Sequence, residues 1–589
     1  MRKQLRTAPF KTVATVILGL IAAVSGYSAP NKNKTSPDIP KTGNVKVIVR
    51  FTTAPNASVH SVVSAKGGTL QRILKSVNGA VYSMPASAVP ALAQDPHVVY
   101  ISPDRPVVGR LEYANPTVHA DTAFNYGYTG AGVGIAVIDS GVNNTPDLNN
   151  NSGPSRIVYN QSFVPGAGTG DDYGHGTHVA GILAGNGSQS SMPNDVHTFK
   201  GMAQQASIVN LKVLDATGAG TDSQVIAAIE QAVALKSTYN IRVINLSVGR
   251  PVFESYQDDP LCQAAEYAWK AGIAVVVAAG NEGRDNSVGN NGYGTIGAPG
   301  NDPYVITVGA MNDESTIDRA DDLVASYSSK GPTGIDHIVK PDIMAPGNGI
   351  ISIASPSTTL YGMAAAGGLT VPTSYYRPGA TGPSTTYFSL SGTSMATPIV
   401  AGAAALLVQK DGSLTPDQIK ARLMLTATKT FPSSSSVTDP LTGITYTSQY
   451  DMFTIGAGYL DIWAALNDNT LALGSADSPT AIWNPATGAV TLADTNTLNG
   501  WIGGPTVWDS STTWGTSAVW GGAVLGTTTV WGDTTVWGDT TVWGDTTVWG
   551  DTTVWGDTTV WGDTTVWGDT TELKGEDTRI VSASGFGRK

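Results

Sequence analysis

Four residues that lie far apart in the chain have the side chains needed to cleave an amide bond. Ser394 stands where a small-residue loop runs into residues 395–408, an uncharged apolar stretch that predicts a helix buried on all sides. A hydroxyl at the start of such a helix suits a cap, and equally a nucleophile whose developing charge needs stabilisation. A serine nucleophile also requires a base, an orienting carboxylate and an oxyanion donor. His175, Asp139 and Asn281 provide these three groups.

The predicted elements explain how these residues meet. Between residues 130 and 466, apolar strands alternate with helices, which predicts an α/β fold with a doubly wound parallel sheet covered on both faces. The predicted strands are 133–138, 206–214, 243–248, 273–279 and 304–310, and the predicted helices are 176–185, 222–235 and 261–271. Asp139 and Asn281 each follow a strand, while His175 and Ser394 each open a helix. We therefore expect them to converge at one edge of the sheet.

Several short motifs carry a family resemblance. AVIDSGV at 136–142, HGTHVAG at 175–181 and GTSMATP at 392–398 resemble the three catalytic signatures of the subtilisin-like serine proteases, the subtilase family. AAGNEG at 278–283 resembles the oxyanion-hole segment of that family. The order aspartate, histidine, serine is also that of subtilisin. The resemblance covers residues 113–466 and implies a serine endopeptidase that works through an acyl-enzyme.

The resemblance also implies a role for each residue of the site. Ser394 would be the nucleophile, His175 the general acid and base, and Asp139 its orienting carboxylate. The side chain of Asn281 and the backbone N–H of Ser394 would form the oxyanion hole. His178, the second histidine of the HGTHVAG motif, is interpreted as a packed helix residue.

Two segments and a pocket would bind the substrate in such a protease. The expected substrate-binding residues are Gly218, Ala219, Gly220, Ser247, Val248, Gly249, Ala278, Ala279 and Gly280. The first six would hold a peptide as an added strand through main-chain hydrogen bonds, which predicts broad specificity. The last three would line a pocket for a large apolar side chain, and Glu282 at its rim could also admit a basic one.

No cofactor is expected to take part in the chemistry. Asp147 sits where many relatives place a calcium ligand, but the loop at 186–200 departs from the family pattern, so a structural calcium ion stays unassigned and a solvated turn aspartate is the alternative. The formal net charge of −12 argues against nucleic acid as a partner. The expected partners are polypeptide substrates, and we expect a monomer. The single cysteine, Cys262, is interpreted as a core residue.

The N-terminal part indicates export of a precursor. A basic head, an apolar run and small residues predict a signal peptide at 1–29, and hence a secreted protein. A linker at 30–44 precedes a small α+β unit at 45–110, with strands at 45–51 and 98–101 and helices at 58–66 and 86–94. This unit resembles the family's propeptide, which would act as an intramolecular inhibitor and folding aid and be removed by self-processing. An independent binding domain is the alternative interpretation.

The C-terminal part changes character after the catalytic domain, predicted at 111–466. A Thr/Gly/Trp-rich region at 467–526 leads into TTVWGD hexapeptide repeats at 527–572 and a polar end at 573–589. Such a repeat suits either stacked short strands or a disordered tail. It could contact the cell surface or polysaccharide. Two other functions stay open at this point, a surface-adhesive protein with a protease-like scaffold and a processing protease for one exported partner. The long stretch at 356–386 is expected to be a surface loop near Ser394.

Overall fold

A computed structural model describes most of the chain in two units. The described residues are 34–35, 39–74, 78–103, 111–150, 153–287, 289–367, 369–439, 442–469, 471, 474–484, 489–493 and 565–568. The units divide between Val107 and Val108. The predicted signal peptide, most of the hexapeptide repeats and the polar C-terminus lie outside the described residues.

The N-terminal unit is a four-stranded antiparallel sheet with helices. Its strands are β1 (Asn44–Phe51), β2 (Thr69–Leu74), β3 (Gly79–Pro85) and β4 (Val98–Pro103), in the order β2-β3-β1-β4. Its helices are α1 (Ala57–Ser64) and α2 (Val89–Ala93), the latter preceded by a 3-10 turn at Ala86–Ala88. Alternate residues of β1 are buried, as its period-two pattern predicts. The two predicted strands and two helices are confirmed, and β2 and β3 are additions.

The second unit is organised around an eight-stranded sheet. Its strands are β5 (Gly134–Asp139), β6 (Ile157–Ser162), β7 (Ser207–Lys212), β9 (Ile241–Leu246), β11 (Ala274–Ala278), β12 (Ile306–Asn312), β13 (Leu323–Val324) and β14 (Ile343–Pro346). Seven of them run in the order β13-β12-β11-β9-β5-β7-β6, and β14 also pairs with β12. All pairings are parallel except that of β12 with β13. The predicted parallel α/β sheet is confirmed.

Helices cover both faces of this sheet. Every residue of β5 and β11 is buried, which requires cover on both sides because successive side chains point to opposite faces. The helices are α3 (Leu111–Thr117), α4 (Ala120–Asn125), α5 (His175–Ala184), α6 (Asp222–Ala234), α7 (Lys236–Tyr239), α8 (Pro260–Lys270), α9 (Thr359–Ala366), α10 (Thr373–Tyr376), α11 (Thr393–Lys410), α12 (Pro416–Thr426), α13 (Met452–Ile455) and α14 (Ile462–Asn467). Helix α5 packs against α11, and α6 against α8.

The stretch at 356–386 is not a simple surface loop, contrary to the sequence-based expectation. It contains α9, α10 and β16 (Thr370–Pro372), and it runs into β17 (Pro383–Leu390), which pairs with β16 and with β15 (Ile350–Ile353). Tyr361 and Tyr376 are buried within it, as is Tyr387 of β17 directly after it. These side chains belong to the main hydrophobic core of the second unit, so aromatic packing holds the insertion against that core.

The ordered core continues past residue 466. Strands β20 (Thr480–Asn484) and β21 (Ala489–Ala493) form a hairpin, and Ala476, Ala481 and Val490 belong to the main hydrophobic core. A second hairpin joins β18 (Ser434–Thr438) to β19 (Thr445–Gln449). Near the C-terminus, β22 (Thr565–Gly568) lies between β8 (Ala219–Thr221) and β10 (Val248–Gly249) in a three-stranded sheet. Among the described residues, no helix is both long and apolar enough to cross a membrane.

Candidate active site

The structure joins Asp139 and His175 directly. Strand β5 delivers Asp139 at its carboxyl end, and α5 begins at His175. The ring Nδ1 of His175 lies 2.8 Å from Oδ1 and 3.0 Å from Oδ2 of Asp139. Because a carboxylate only accepts, Nδ1 holds the proton and donates to it. Both side chains are buried, so the carboxylate fixes the orientation and the tautomer of the imidazole.

A close approach of α5 to the loop after β5 makes this contact possible. A Cβ atom on Gly176 would meet the carbonyl oxygen of Gly141 at 2.2 Å. Glycine at this position therefore lets the start of α5 come near Asp139.

A second buried carboxylate holds the start of α5 in place. Asp171 accepts from Ser140 Oγ at 2.8 Å, from the backbone N–H of Gly174 at 2.6 Å and from that of Thr177 at 2.8 Å. Ser140 Oγ in turn accepts from the N–H of Gly176 at 2.9 Å. Burial raises the pKa of Asp171 despite these donors. Sequence reasoning missed Asp171, whose only signal is its position just before the histidine motif.

Helix α11 carries Ser394 at its first turn. Residues Thr393 to Val408 are all buried, which confirms the buried helix predicted for 395–408. Pro398 lies inside the helix and has no N–H, so the carbonyl of Ser394 lacks its usual donor four residues on. Ser247 Oγ donates to that carbonyl at 3.0 Å instead, and Ser394 Oγ donates to the carbonyl of Ser247 at 3.2 Å. These two bonds connect Ser394 to the expected substrate-binding segment that begins at Ser247.

The side-chain amide of Asn281 is oriented by Thr393, which precedes Ser394. Its carbonyl oxygen lies 2.9 Å from the backbone nitrogen of Thr393 and 3.1 Å from Thr393 Oγ1, and both groups donate to it. The NH2 group of Asn281 therefore lies on the opposite side of the amide. The N–H of Gly280 donates to Thr393 Oγ1 at 3.2 Å. Sequence reasoning missed Thr393, although it lies next to the predicted nucleophile.

The expected substrate-binding residues flank this centre. Strand β8 includes Ala219 and Gly220, while β10 includes Val248 and Gly249. Gly218, just before β8, has a φ of +83°, and a Cβ there would meet the ring of Tyr173 at 2.6 Å. Only glycine avoids both the left-handed strain and this contact.

The three small residues of the expected pocket lie at the end of β11. Ala278 is its last residue, and the N–H of Ala279 donates to the carbonyl of Val308 on the neighbouring strand β12. Gly280 follows and contacts Thr393, as described above. The structure thus brings the pocket segment to the same sheet edge as Asn281.

Asp147 is not a solvated turn aspartate. It is fully buried, and its carboxylate accepts from Ser188 Oγ at 2.8 Å, from the N–H of Gln189 at 2.8 Å and from Tyr387 Oη at 2.5 Å. These donors engage both oxygens of the carboxylate. In the described part of the chain, no group of three or more His, Cys, Asp or Glu residues could hold a metal ion.

The other two singled-out residues behave as core residues. His178 is buried on α5, with Nε2 at 3.1 Å from the carbonyl oxygen of Ile350 and 3.3 Å from that of Phe388. Burial lowers its pKa to about 3, so it is a neutral donor. Cys262 is buried, and burial raises the pKa of its thiol well above the usual value.

Comparisons with known proteins agree with this geometry. Residues 130–443 match the subtilase family. The chain is 38% identical to Serine protease AprX of Bacillus subtilis strain 168 over 329 residues, which cover 55% of this chain and 67% of that protein. It is 35% identical to Subtilisin E of the same strain over 416 residues, which cover 69% and 90%. The resemblance inferred from the motifs is confirmed. The chain belongs to the subtilase family and is a serine endopeptidase.

Proposed function

We propose that Asp139, His175, Ser394 and Asn281 carry out the peptidase reaction. The observation that supports this assignment most directly is the buried hydrogen bond of 2.8 Å between His175 Nδ1 and Asp139 Oδ1. It leaves Nε2 as the basic atom of the ring. The helix that begins at His175 packs against the helix that carries Ser394, as a general base and its nucleophile require.

The reaction proceeds through a covalent intermediate. Ser394 Oγ attacks the carbonyl carbon of the scissile peptide, and His175 Nε2 takes the hydroxyl proton. Asp139 stabilises the imidazolium, while the NH2 group of Asn281 and the N–H of Ser394 donate to the oxyanion. The C–N bond then breaks as His175 returns the proton to the leaving amine. Water, activated in the same way by His175, hydrolyses the ester and frees the carboxylate product.

The oxyanion donors account for a large part of the acceleration. One such donor is worth about 3–4 kcal/mol of transition-state stabilisation, a value that comes from a subtilase. Substitution of Asn281 by Ala is therefore expected to lower kcat by about 10²–10³-fold with KM little changed. The small residues Ala278, Ala279 and Gly280 favour cleavage after large apolar side chains. A peptide library cleaved only after Ala or Gly would contradict this specificity.

The enzyme is made as an exported precursor that processes itself. The support is the signal-like sequence at 1–29 and the separate unit up to Val107, which has its own core of Val47, Val49, Tyr82 and Leu92. This unit acts as the inhibitor until Ser394 cuts the chain between residues 107 and 115. The mature enzyme acts on polypeptides of many sequences and works as a monomer.

Intact mass and N-terminal sequencing of secreted wild type and Ser394→Ala test this proposal. Wild type should lose the N-terminal unit and react at Ser394 with a serine-directed phosphonate, whereas Ser394→Ala should do neither. Ser389→Ala, in the preceding strand, is the matched control and should behave like wild type. Normal maturation of purified Ser394→Ala would contradict self-processing. Failure of wild type to react with the phosphonate would contradict the assignment of Ser394.

A further inference from the structure

A piece of the hexapeptide repeat lies between the two strands of the expected substrate cleft. Strand β22 is TVWG, residues Thr565–Gly568, from the last of seven TTVWGD copies. It runs antiparallel to β10, with Val248 opposite Gly568 and Gly249 opposite Trp567. It also runs antiparallel to β8, with Ala219 opposite Trp567 and Gly220 opposite Val566. In the described part of the chain, no other named strand pairs with β8 or β10.

The direction of β22 is that of a substrate. Its carboxyl end, Gly568, pairs with Val248, the residue directly after Ser247. The carbonyl oxygen of Ser247 lies 3.2 Å from Ser394 Oγ. The strand therefore runs from the outer end of the cleft toward the nucleophile, and its register ends one residue short of Ser247. A peptide whose acyl side faces Ser394 must enter in the same direction.

We propose that the TTVWGD repeat is a tethered ligand of the substrate cleft and competes there with peptide substrates. This inference rests on the proposed function of Ser394 and on the assignment of β8 and β10 to substrate binding. The recognition is carried by backbone pairing on both edges, the mode by which an extended peptide adds to a sheet. It places the tail in the cleft of the finished domain rather than on the cell surface.

The repetition strengthens such a ligand. All seven copies contain TVWG, so each copy can form the same backbone pairs. Tethering gives a segment an effective concentration of about millimolar, enough to populate a site that binds a short peptide weakly. Seven equivalent copies raise the number of ways of filling the cleft without any new contact. A substrate with good side-chain contacts still displaces the tail, so the activity is lowered rather than abolished.

The first experiment compares mature wild type with a chain whose seven copies are replaced by Gly/Ser hexapeptides of equal length. We expect replacement to lower KM for a short chromogenic peptide by about two- to tenfold, with kcat unchanged. The phosphonate should react with Ser394 faster by the same factor. Equal KM values and equal reaction rates would overturn the proposal. A failure of both chains to react would instead count against the assignment of Ser394, so the two failures are distinguishable.

A second pair of variants tests the strand register. In a chain that keeps only the last copy, Trp567→Pro removes the N–H at the residue that faces both Gly249 and Ala219. Trp567→Phe keeps the backbone donor and is the matched control. We expect the Pro variant to match the repeat-free chain, and the Phe variant to keep at least half of the effect. Equal KM values for the two variants would overturn docking as a strand.

Intact mass shows whether mature enzyme retains the repeats. If they are lost, the amidated peptide TTVWGDTTVWGD, added in trans to the mature enzyme, should inhibit competitively, and a scrambled peptide should not. Equal effects of the two peptides would overturn the proposal. Fragments that differ by one repeat would support it, because a cut in each copy requires that copy to occupy the cleft. A KM difference that vanishes on dilution would show docking between molecules and overturn the tethered arrangement.

Discussion

Arg250 Nε lies 3.0 Å from Asp222 Oδ1 and 3.1 Å from Oδ2, and this ion pair connects the two strands β8 and β10 of the proposed substrate cleft. Arg250 follows β10 directly, and Asp222 follows β8. The guanidinium also binds Asp259 at 2.8 Å, where both side chains are almost fully buried. Because the planar guanidinium donates to two carboxylates at once, its position and its orientation are both fixed. The pair therefore fixes the separation of β8 and β10 at the outer end of the cleft.

Loss of this ion pair should weaken substrate binding more than the chemistry. Asp222→Asn removes the charge and keeps the shape, so we expect KM for a peptide that reaches both strands to rise by about three- to tenfold, while kcat changes less than twofold. Asp258→Asn, an exposed charge change outside the pair, is the control. Steady-state kinetics on short and long peptides measures the effect. Equal KM values for the two variants would contradict the role of the pair.

Arg250→Ala is a harsher change than Asp222→Asn. It leaves the carboxylate of Asp259 buried without its cation, which costs about 3–5 kcal/mol of stability. We therefore expect this variant to fail through unfolding rather than through substrate binding, and the thermal midpoint measured by calorimetry separates the two causes.

The bridge from Asp171 through Ser140 to Gly176 should act as one unit on the position of His175. Ser140→Ala removes both the donor to Asp171 and the acceptor for the N–H of Gly176, and should lower kcat by about tenfold. Asp171→Asn should lower kcat at least as much and reduce stability by about 1–3 kcal/mol, because it places an amide among backbone donors. The double variant should cost less than the sum of the single effects. Additive effects on kcat would contradict a connected bridge.

The part of the site that sequence could predict is the part with a local pattern. Asp139 ends a continuous apolar strand, and Ser394 opens an uncharged helix, so their places follow from periodicity and from the edge that parallel strands share. Residues such as Asp171 and Arg250 do not lie in a periodic pattern. Their roles depend on partners brought close only by the fold, as with Arg250 and Asp259.

The same reason explains the misjudged segments. Asp147 lies in a polar turn, and it is buried in contact with Tyr387, a residue of the distant strand β17. The insertion at 356–386 is rich in Gly, Ser and Thr, which favours a loop on composition alone. Its tyrosines pack into a core that no short window of the sequence displays, so its helices and strands could not be predicted.

Thr393 should influence the oxyanion through Asn281 without contacting the substrate. Its hydroxyl donates to the side-chain carbonyl of Asn281 and accepts from the N–H of Gly280. Thr393→Ala should lower kcat by about tenfold, the value of one hydrogen bond of about 1–1.5 kcal/mol, and leave KM nearly unchanged. Thr393→Ser keeps the hydroxyl and should restore most of kcat. Kinetics at saturating substrate measures this, and equally slow Ser and Ala variants would contradict a role for the hydroxyl.

His178 should make the enzyme less stable in mild acid. Burial lowers its pKa in the folded state to about 3, below the ordinary value of 6.5. Between these values the unfolded chain binds the extra proton, so the free energy of unfolding falls as pH decreases below 6.5, by about 1.4 kcal/mol per pH unit. The neutral form is favoured because burial removes the ring from water and because a charged ring would be repelled by His175, while the two backbone carbonyls that face Nε2 act in the opposite direction but more weakly.

His178→Gln separates this effect from the other titrating groups. The Gln amide can donate to the carbonyls of Ile350 and Phe388 but does not titrate. Denaturant unfolding of the phosphonate-blocked enzyme, which cannot digest itself, gives the free energies at pH 7.5, 6.5 and 5.5. Between pH 6.5 and 5.5, the free energy of unfolding should fall by about 1 kcal/mol more in the wild-type enzyme than in the Gln variant. Above pH 7, the free energies of the two proteins should change with pH to the same extent. Buried carboxyls elsewhere, such as Asp451, act equally in both proteins and cancel in the difference. Parallel pH curves for the two proteins would show that burial does not hold His178 neutral.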